Sequence, residues 1–273
     1  MAIVTLTSDM GNRDYYVATV KASLLSKFPD LQIVDITHEV RPFDVLEGAF
    51  HLRSAWSHFP IGTVHILGIQ PEFTVNRIQL AISHMGHFFL CTDNGAVPFL
   101  FDGMPDEIFE INLPQGEDWK FPLRGVYSTA AAHLARGGTP EFLGKRTETI
   151  QSGPMIEPVI AGNSIRGHIV HVDHYGNVFS NISERFFRMH QGKRKFSIYF
   201  KRVSYTISNI SDYYSDVKEG ERLAMFASNG LLMVALSGAV TGHGGGAAQL
   251  FGLRKGDMIT VEFHGEQNRQ DDI

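Results

Sequence analysis

Two carboxylates five residues apart open the chemical reading of this chain. Asp9 and Asp14 lie in Ser8-Asp9-Met10-Gly11-Asn12-Arg13-Asp14, directly after a short apolar run. A carboxylate such as Asp9 can accept two hydrogen bonds from vicinal hydroxyls, as on a ribose. Asp14 can pair with an ammonium group, and Gly11 permits a tight turn between them. Asn12 and Asp14 are equally suited to capping a following helix, and the residues alone leave both readings open.

Further polar segments could do chemistry. Gln70-Pro71-Glu72-Phe73-Thr74-Val75-Asn76-Arg77 and Cys91-Thr92-Asp93-Asn94-Gly95 each follow an apolar run; the first also reads as a plain loop and the second as a turn. His171-Val172-Asp173-His174-Tyr175-Gly176-Asn177 is dense in polar groups, but its histidine spacing matches no zinc pattern, so it reads as a polar turn. Thr241-Gly242-His243-Gly244-Gly245-Gly246-Ala247 lacks the Gly-Lys-Ser/Thr ending of a phosphate loop. It suits a close backbone approach or a flexible loop.

The elements that must position these groups follow from periodicity. Ala2 to Leu6 is too short for a helix and reads as a strand. Val17, Val20, Leu24 and Phe28 share a helical face that ends at Pro29, and Leu31 to Ile36 is a second strand. The three form a βαβ unit and imply parallel pairing. Pro42 suits the first turn of a helix over 43–57, in which Leu46, Ala49, Phe50 and Arg53 keep helical spacing. Strands follow at 63–69, 77–83 and 87–92, the last two as an antiparallel pair around Met85-Gly86, then a helix over 127–135 closed by Gly137-Gly138. From about Ile165 short alternating runs at 167–172, 196–201, 203–208, 222–227 and 258–263 predict an all-β domain. The expected organisation is an α/β nucleoside-binding domain with a mostly parallel sheet over 1–150, a linker over 151–163, a β-barrel domain over 164–265 and a polar tail over 266–273. In such a sheet, ligands gather beyond the carboxyl ends of the strands.

Composition narrows the function class. The 273 residues carry a net charge of about −5, with 43% hydrophobic and 19% charged residues. The one basic cluster, Gly192-Lys193-Arg194-Lys195, reads as a solvated turn, so nucleic acid is not an expected partner. A single cysteine, Cys91, fits a reducing compartment. No signal segment and no apolar stretch of membrane-spanning length is read, so a soluble, cytoplasmic protein is expected.

Taken in order, the segments resemble the S-adenosylmethionine hydroxide adenosyltransferases and their relatives, the fluorinases and chlorinases, over about residues 3 to 262. The markers are Thr7-Ser8-Asp9-Met10-Gly11 with Asp14, Val34-Asp35-Ile36-Thr37-His38, Pro42-Phe43-Asp44-Val45, Phe59-Pro60-Ile61-Gly62-Thr63-Val64 and Asp93-Asn94-Gly95. Ala130 to Ala135, Asp173 to Val178 and Tyr214-Ser215-Asp216-Val217 follow. The resemblance implies a homotrimer whose ligand lies between the N-terminal domain of one subunit and the C-terminal domain of the next. It implies that Asp9 grips the ribose hydroxyls, Asp14 meets the methionine amino group and Phe43 packs on the ribose. Tyr175 and Tyr214 would flank the adenine, Asn177 would contact it and Ser228 would meet the methionine carboxylate. The implied reaction is displacement at C5′ by water, without a metal or other cofactor, with S-adenosylmethionine as the small-molecule ligand.

The water-activating residues depart from the family pattern. Of the expected Asp, Arg and His, only Arg77 is kept; Gln70 and Pro122 replace the other two. Glu72 is the nearest ionisable substitute, and Phe73 and Leu123 enlarge positions that are small in relatives. His65 and His133 read as structural residues of a strand and a helix. Three expectations stand: an adenosyl-transferring enzyme using Arg77 and Glu72, an inactive or very slow homologue that binds S-adenosylmethionine or adenosine, or a pocket filled by Phe73 and Leu123 that takes another ligand.

Overall fold

The computed structural model describes residues 2–72, 74, 77–101, 103–112, 118–151, 157–238 and 245–265, without the side chains of 202–204. The chain divides into two compact units, Met1–Met155 and Ile156–Ile273. Phe73, part of the glycine-rich loop and the polar tail fall outside the described residues.

The first unit is built on β1 (Ile3–Ser8), α1 (Tyr16–Lys27), β2 (Gln32–Thr37), α2 (Val45–Ala55), β3 (Val64–Gly68), β4 (Gln79–His84), β5 (His87–Thr92), α3 (Val97–Leu100), β6 (Glu107–Ile111), α4 (Ser128–Ala135) and β7 (Gly144–Arg146). Its seven-stranded sheet has the order β2-β1-β3-β5-β4-β6-β7. The pairings β2–β1, β1–β3 and β3–β5 are parallel, whereas β5–β4, β4–β6 and β6–β7 are antiparallel. The sheet is therefore mixed, and the expected parallel character holds for only half of it. The antiparallel pair expected around Met85-Gly86 is present as β4–β5, joined by a tight turn with both residues at positive φ; the antiparallel β6 and β7 beyond it make the sheet mixed.

Alternation along the strands builds two apolar layers. Val4, Leu6, Val64, Ile66 and Leu90 pack with Val20 and Leu24 of α1 and Ala130, Ala131 and Leu134 of α4. Leu67 and the following Ile69 approach α2 so closely that a Cβ on Gly48 would lie 2.6 Å from Ile69 Cγ1. Helix α2 begins later than the sequence suggests: Asp44 is its N-cap and accepts from the Glu47 amide at 3.0 Å, leaving Pro42 outside. Helix α4 is preceded by one π-helical turn, Leu123–Tyr127, in which the Tyr127 amide reaches back to the Pro122 carbonyl at 2.8 Å.

The second unit contains β8 (Val159–Ala161), β9 (Ser164–Val172), β10 (Val178–Ser183), α5 (Glu184–Gln191), β11 (Lys195–Phe200), β12 (Arg202–Ile207), β13 (Arg222–Phe226), β14 (Leu231–Leu236), α6 (Ala247–Phe251) and β15 (Met258–His264). Its sheet runs β12-β11-β15-β9-β10-β14-β13, antiparallel throughout, with β8 on β9. It curls around Ile165, Ile182, Phe187, Ile198, Leu232, Val234 and Val261. The expected barrel is a half-barrel: among the described residues no ladder joins β12 to β13, although Arg222 Nε of β13 donates to the Thr206 carbonyl of β12 at 3.3 Å. Among the described residues no helix is long and apolar enough to cross a membrane.

One buried polar cluster sets a pH dependence. His65 Nδ1 lies 2.8 Å from Thr5 Oγ1, and its Nε2 lies 3.2 Å from His87 Nδ1. Phe59 and Phe89 enclose the ring, and burial, with His87 beside it, pushes the His65 pKa down to about 3. In the unfolded chain it titrates near 6.5, so unfolding takes up a proton between these values. Stability attributable to His65 is then intact above pH 6.5 and falls as the pH drops towards 3, by up to about 1.4 kcal/mol per pH unit. Urea unfolding at pH 7, 6 and 5 should show this slope, and His65→Gln should reduce it by about one proton's worth.

Candidate functional site

The carboxyl ends of β1 and β3 are level, because Ser8 pairs with Gly68 and Leu67 with Cys91 of β5. Asp9, Ile69 and Asp93 therefore leave the sheet side by side. The first of these loops is anchored from β2: the Gly11 amide, at φ +66°, donates to the His38 carbonyl at 2.7 Å. Buried Ser8 Oγ and His38 Nδ1 lie 2.6 Å apart, and His38 Nε2 lies 3.1 Å from Asp35 Oδ1. Burial raises the Asp35 pKa, but Lys21 and His38 outweigh it and hold the carboxyl below its ordinary value. Sequence reasoning gave Ser8 and His38 no role; a histidine immediately beyond a strand's carboxyl end was the available signal.

The capping alternative for this loop does not hold. The N-cap of α1 is Tyr15, with no side-chain cap bond; Asn12 Nδ2 donates instead to Glu39 Oε1 at 2.8 Å, and Asp14 is exposed. Asp9 turns towards the loop between β2 and α2, where its Oδ2 accepts from the Phe43 amide at 2.8 Å. Phe43 sits at φ +67°, a region costly to a bulky side chain, and its ring is 63% exposed. Burial pushes the Asp9 carboxyl above its ordinary value. The Phe43 and Asp9 amides oppose that rise, and the charge of Glu72 adds to it.

The β3 loop is fixed from beneath. Asn94 Nδ2 donates to the Ile69 carbonyl at 2.9 Å, and Gln79 Nε2 to the Pro71 carbonyl at 3.3 Å. Gln79 Oε1 in turn accepts from Tyr127 Oη and, at 3.1 Å, from Thr92 Oγ1. Between these anchors Gln70 is held at φ +49°. Glu72 is exposed, and Arg77 is half-buried on a bridge to Thr74. Pro122 is buried. Leu123 is a core residue: a Cβ on Gly68, the last residue of β3, would lie 2.3 Å from its Cδ2. His133 Nε2 lies 3.1 Å from the Thr139 carbonyl, beyond the end of α4.

The second unit gathers its own polar turn between β9 and β10. Asp173 Oδ1 accepts from the amides of Tyr175 at 2.9 Å and Asn177 at 2.8 Å, and its Oδ2 accepts from Asn177 Nδ2 at 2.9 Å. The same Nδ2 donates to Tyr214 Oη at 3.3 Å. Both amide hydrogens of buried Asn177 are thereby used, so its Oδ1 is what remains to accept from a ligand. Tyr175 and Tyr214 are exposed around it, and burial together with the Asp173 charge raises the Tyr214 pKa. Ser228 stands elsewhere, in the β13–β14 turn at the far end of β10 from Asn177, where the Gly230 carbonyl accepts from the Glu184 amide.

A mixed α/β unit with an acidic strand-end loop, followed by a curled β unit carrying an Asn–Tyr turn, is an architecture shared with one family. The family model of the SAM hydroxide adenosyltransferase N-terminal domain matches residues 4–144, and that of the C-terminal domain matches residues 167–260. The chain belongs to this family. It is 28% identical to the (R)-S-adenosyl-L-methionine hydrolase of Thermus thermophilus, across 96% of this chain and 100% of that protein. It is 27% identical to the fluorinase of Nocardia brasiliensis, across 66% of this chain and 71% of that one. Among solved structures, an uncharacterized conserved protein from Thermotoga maritima superposes with a TM-score of 0.78 at 26% identity, over 95% of this chain and 99% of that one.

The Asn177 turn depends on a backbone approach. A Cβ on Gly246 would lie 2.2 Å from the Tyr175 carbonyl oxygen, and one on Gly176 would lie 2.8 Å from Gly246 Cα. The last glycine of the glycine-rich run therefore seats α6 under this turn, with the Ala248 amide donating to the Gly176 carbonyl at 2.9 Å. Gly246→Ala should destabilise the protein by roughly 1–3 kcal/mol, because backbone cannot yield as a flexible side chain can. Thermal or urea unfolding measures this; an unchanged midpoint would show that the two segments separate at little cost.

Proposed function

We propose that the protein binds S-adenosylmethionine and transfers its adenosyl group to water, giving adenosine and methionine. The observation that carries this reading is the Asp9 carboxylate, half-buried at the carboxyl end of β1, with Oδ2 accepting from the Phe43 amide. A carboxylate has lone pairs enough to accept from vicinal ribose hydroxyls as well. Exposed Phe43 packs on the sugar, and Asp14 meets the methionine ammonium. Tyr175 and Tyr214 flank the adenine, whose amino group donates to Asn177 Oδ1; Ser228, at the other end of β10, is set aside as the methionine-carboxylate contact. The ligand draws on both units, and a homotrimer supplies them from neighbouring subunits.

In the reaction a water oxygen bonds to C5′ as the C5′–S bond breaks, and the electron pair leaves with sulfur as neutral methionine. Arg77 orients the water, and Glu72 takes its proton. Support for Glu72 is its closeness to Asp9, whose pKa it raises. Gln70 and Pro122 offer no base and favour a second reading, a binder of S-adenosylmethionine or adenosine that turns over very slowly or not at all.

Incubation with S-adenosylmethionine, followed by chromatography for adenosine and methionine, separates the two. Products are expected, and Glu72→Gln should lower their rate by roughly 10²-fold or more; binding without products leaves the binder. Asp9 must be ionised to accept both hydroxyls, so affinity should be flat near neutrality and fall on acidification through a pKa above the ordinary carboxylate value. Asp9→Asn should bind at least ~10-fold more weakly, through the loss of charge-assisted hydrogen bonds worth about 1.5–3 kcal/mol each, and without that pH dependence. Unchanged affinity in Asp9→Asn would remove the ribose grip.

A further inference from the structure

An aromatic cluster at the start of α1 has no part in the reading so far. Tyr15 and Tyr16 are 64% and 41% exposed, with ring centroids 4.5 Å apart at an interplanar angle of 32°. Tyr16 meets Phe121 edge to face at 5.9 Å. Phe121 already takes one cation on its ring, the Arg124 guanidinium at 5.6 Å from the centroid, and Arg124 is itself paired with Asp118. Asp14 adjoins the tyrosines, and its charge contributes to raising the Tyr16 pKa after the larger effects of Tyr15 and burial. The cluster is exposed in its own unit and does not serve as the apolar side of α1, which is Val17, Val20 and Leu24.

Among the described residues no cation is recorded over the Tyr15 or Tyr16 ring, and aromatic faces beside a carboxylate suit a poorly hydrated positive charge. A helix start is by itself unfavourable for a cation, so only one that gains both the ring faces and Asp14 would settle there. The proposed ligand carries two positive charges one short chain apart: an ammonium, which Asp14 takes, and a sulfonium. We propose that Tyr15 and Tyr16 form the sulfonium-recognition wall, making them the residues that distinguish S-adenosylmethionine from its uncharged thioether counterpart. The inference rests on the reading of the site as one for S-adenosylmethionine.

The test compares S-adenosylmethionine, S-adenosylhomocysteine and adenosine by calorimetry. The first two share the ammonium, the carboxylate and the nucleoside, so their ratio isolates the S-methyl sulfonium group. The parent should prefer S-adenosylmethionine by about three- to tenfold. Tyr16→Leu and Tyr15→Leu should each shrink that ratio, and the double variant should bring it within twofold, with adenosine affinity unchanged as the control for folding. Tyr16→Phe, which keeps a ring, should retain the ratio, and Asp14→Asn should weaken both methionyl ligands together. A parent ratio of one, or a full ratio in the double leucine variant, overturns the wall and leaves the site reading in place. A parent that binds adenosine but neither methionyl ligand overturns both.

Discussion

Parallel pairing of β1 with β2 on one side and β3 on the other is the constraint on which the site depends. It brings three carboxyl ends to one edge and sets Ser8 level with Gly68. The chain leaves β1 for α1 and returns as β2, then crosses by α2 to β3 on the opposite side of β1. Connections that depart in opposite directions leave a crevice between the strand ends, where side chains can face a ligand without being needed for packing. Asp9 is the first residue past β1, and the segment from Ile69 to Glu72 is the first past β3.

The energies at that crevice are of comparable size, which explains the local strain. A bulky residue in the left-handed region costs about 1–2 kcal/mol. A hydrogen bond to a charged acceptor contributes about 1.5–3 kcal/mol. The Asp9–Phe43 bond is therefore sufficient to hold Phe43 where its ring is exposed beside the carboxylate. Asp9, for its part, is taken out of water and set near Glu72, both of which disfavour its charge. The Phe43 amide offsets some of this, and two further donors from a ligand would offset more. A group whose folded environment undersupplies donors is suited to binding something that brings them.

Much of the architecture was legible because periodicity reports burial. The α1 face, the parallel β1–β2 pair and the strands around Met85-Gly86 follow from apolar spacing and turn residues alone. β14, Leu231–Leu236, does not: it is buried on both faces, so it shows no alternation by which a strand in an otherwise alternating domain could be told. Helix α5 is short and strongly charged, and its start rests on one cap, Ser183 accepting from the Phe186 amide. At the site, the acidic loop could be read but the choice between cap and ligand could not, since it turns on where Asn12 and Asp9 find partners thirty residues away. The packing of Phe121 against Tyr16 was likewise invisible, because Phe121 reaches α1 only through the fold.

In the proposed displacement, Gln70 and Pro122 at the positions where the resemblance implies an Asp and a His bear differently on its two halves. The leaving group needs little from the protein, since a sulfonium departs as a neutral thioether with no proton to supply. Holding water in line with the breaking bond is an orientational demand, and well-fixed reactants gain up to about 7–11 kcal/mol from it. A base gains roughly 10²–10⁴-fold. On that reading Gln70 suits the first function and not the second: its backbone is held between the anchored Ile69 and Pro71 carbonyls, and an amide can position a water but cannot take a proton. Pro122, buried and without a polar side chain, does neither. On the proposed reading the base is the smaller contribution, and it is the one that Glu72, whose charge reaches Asp9, is chemically able to supply.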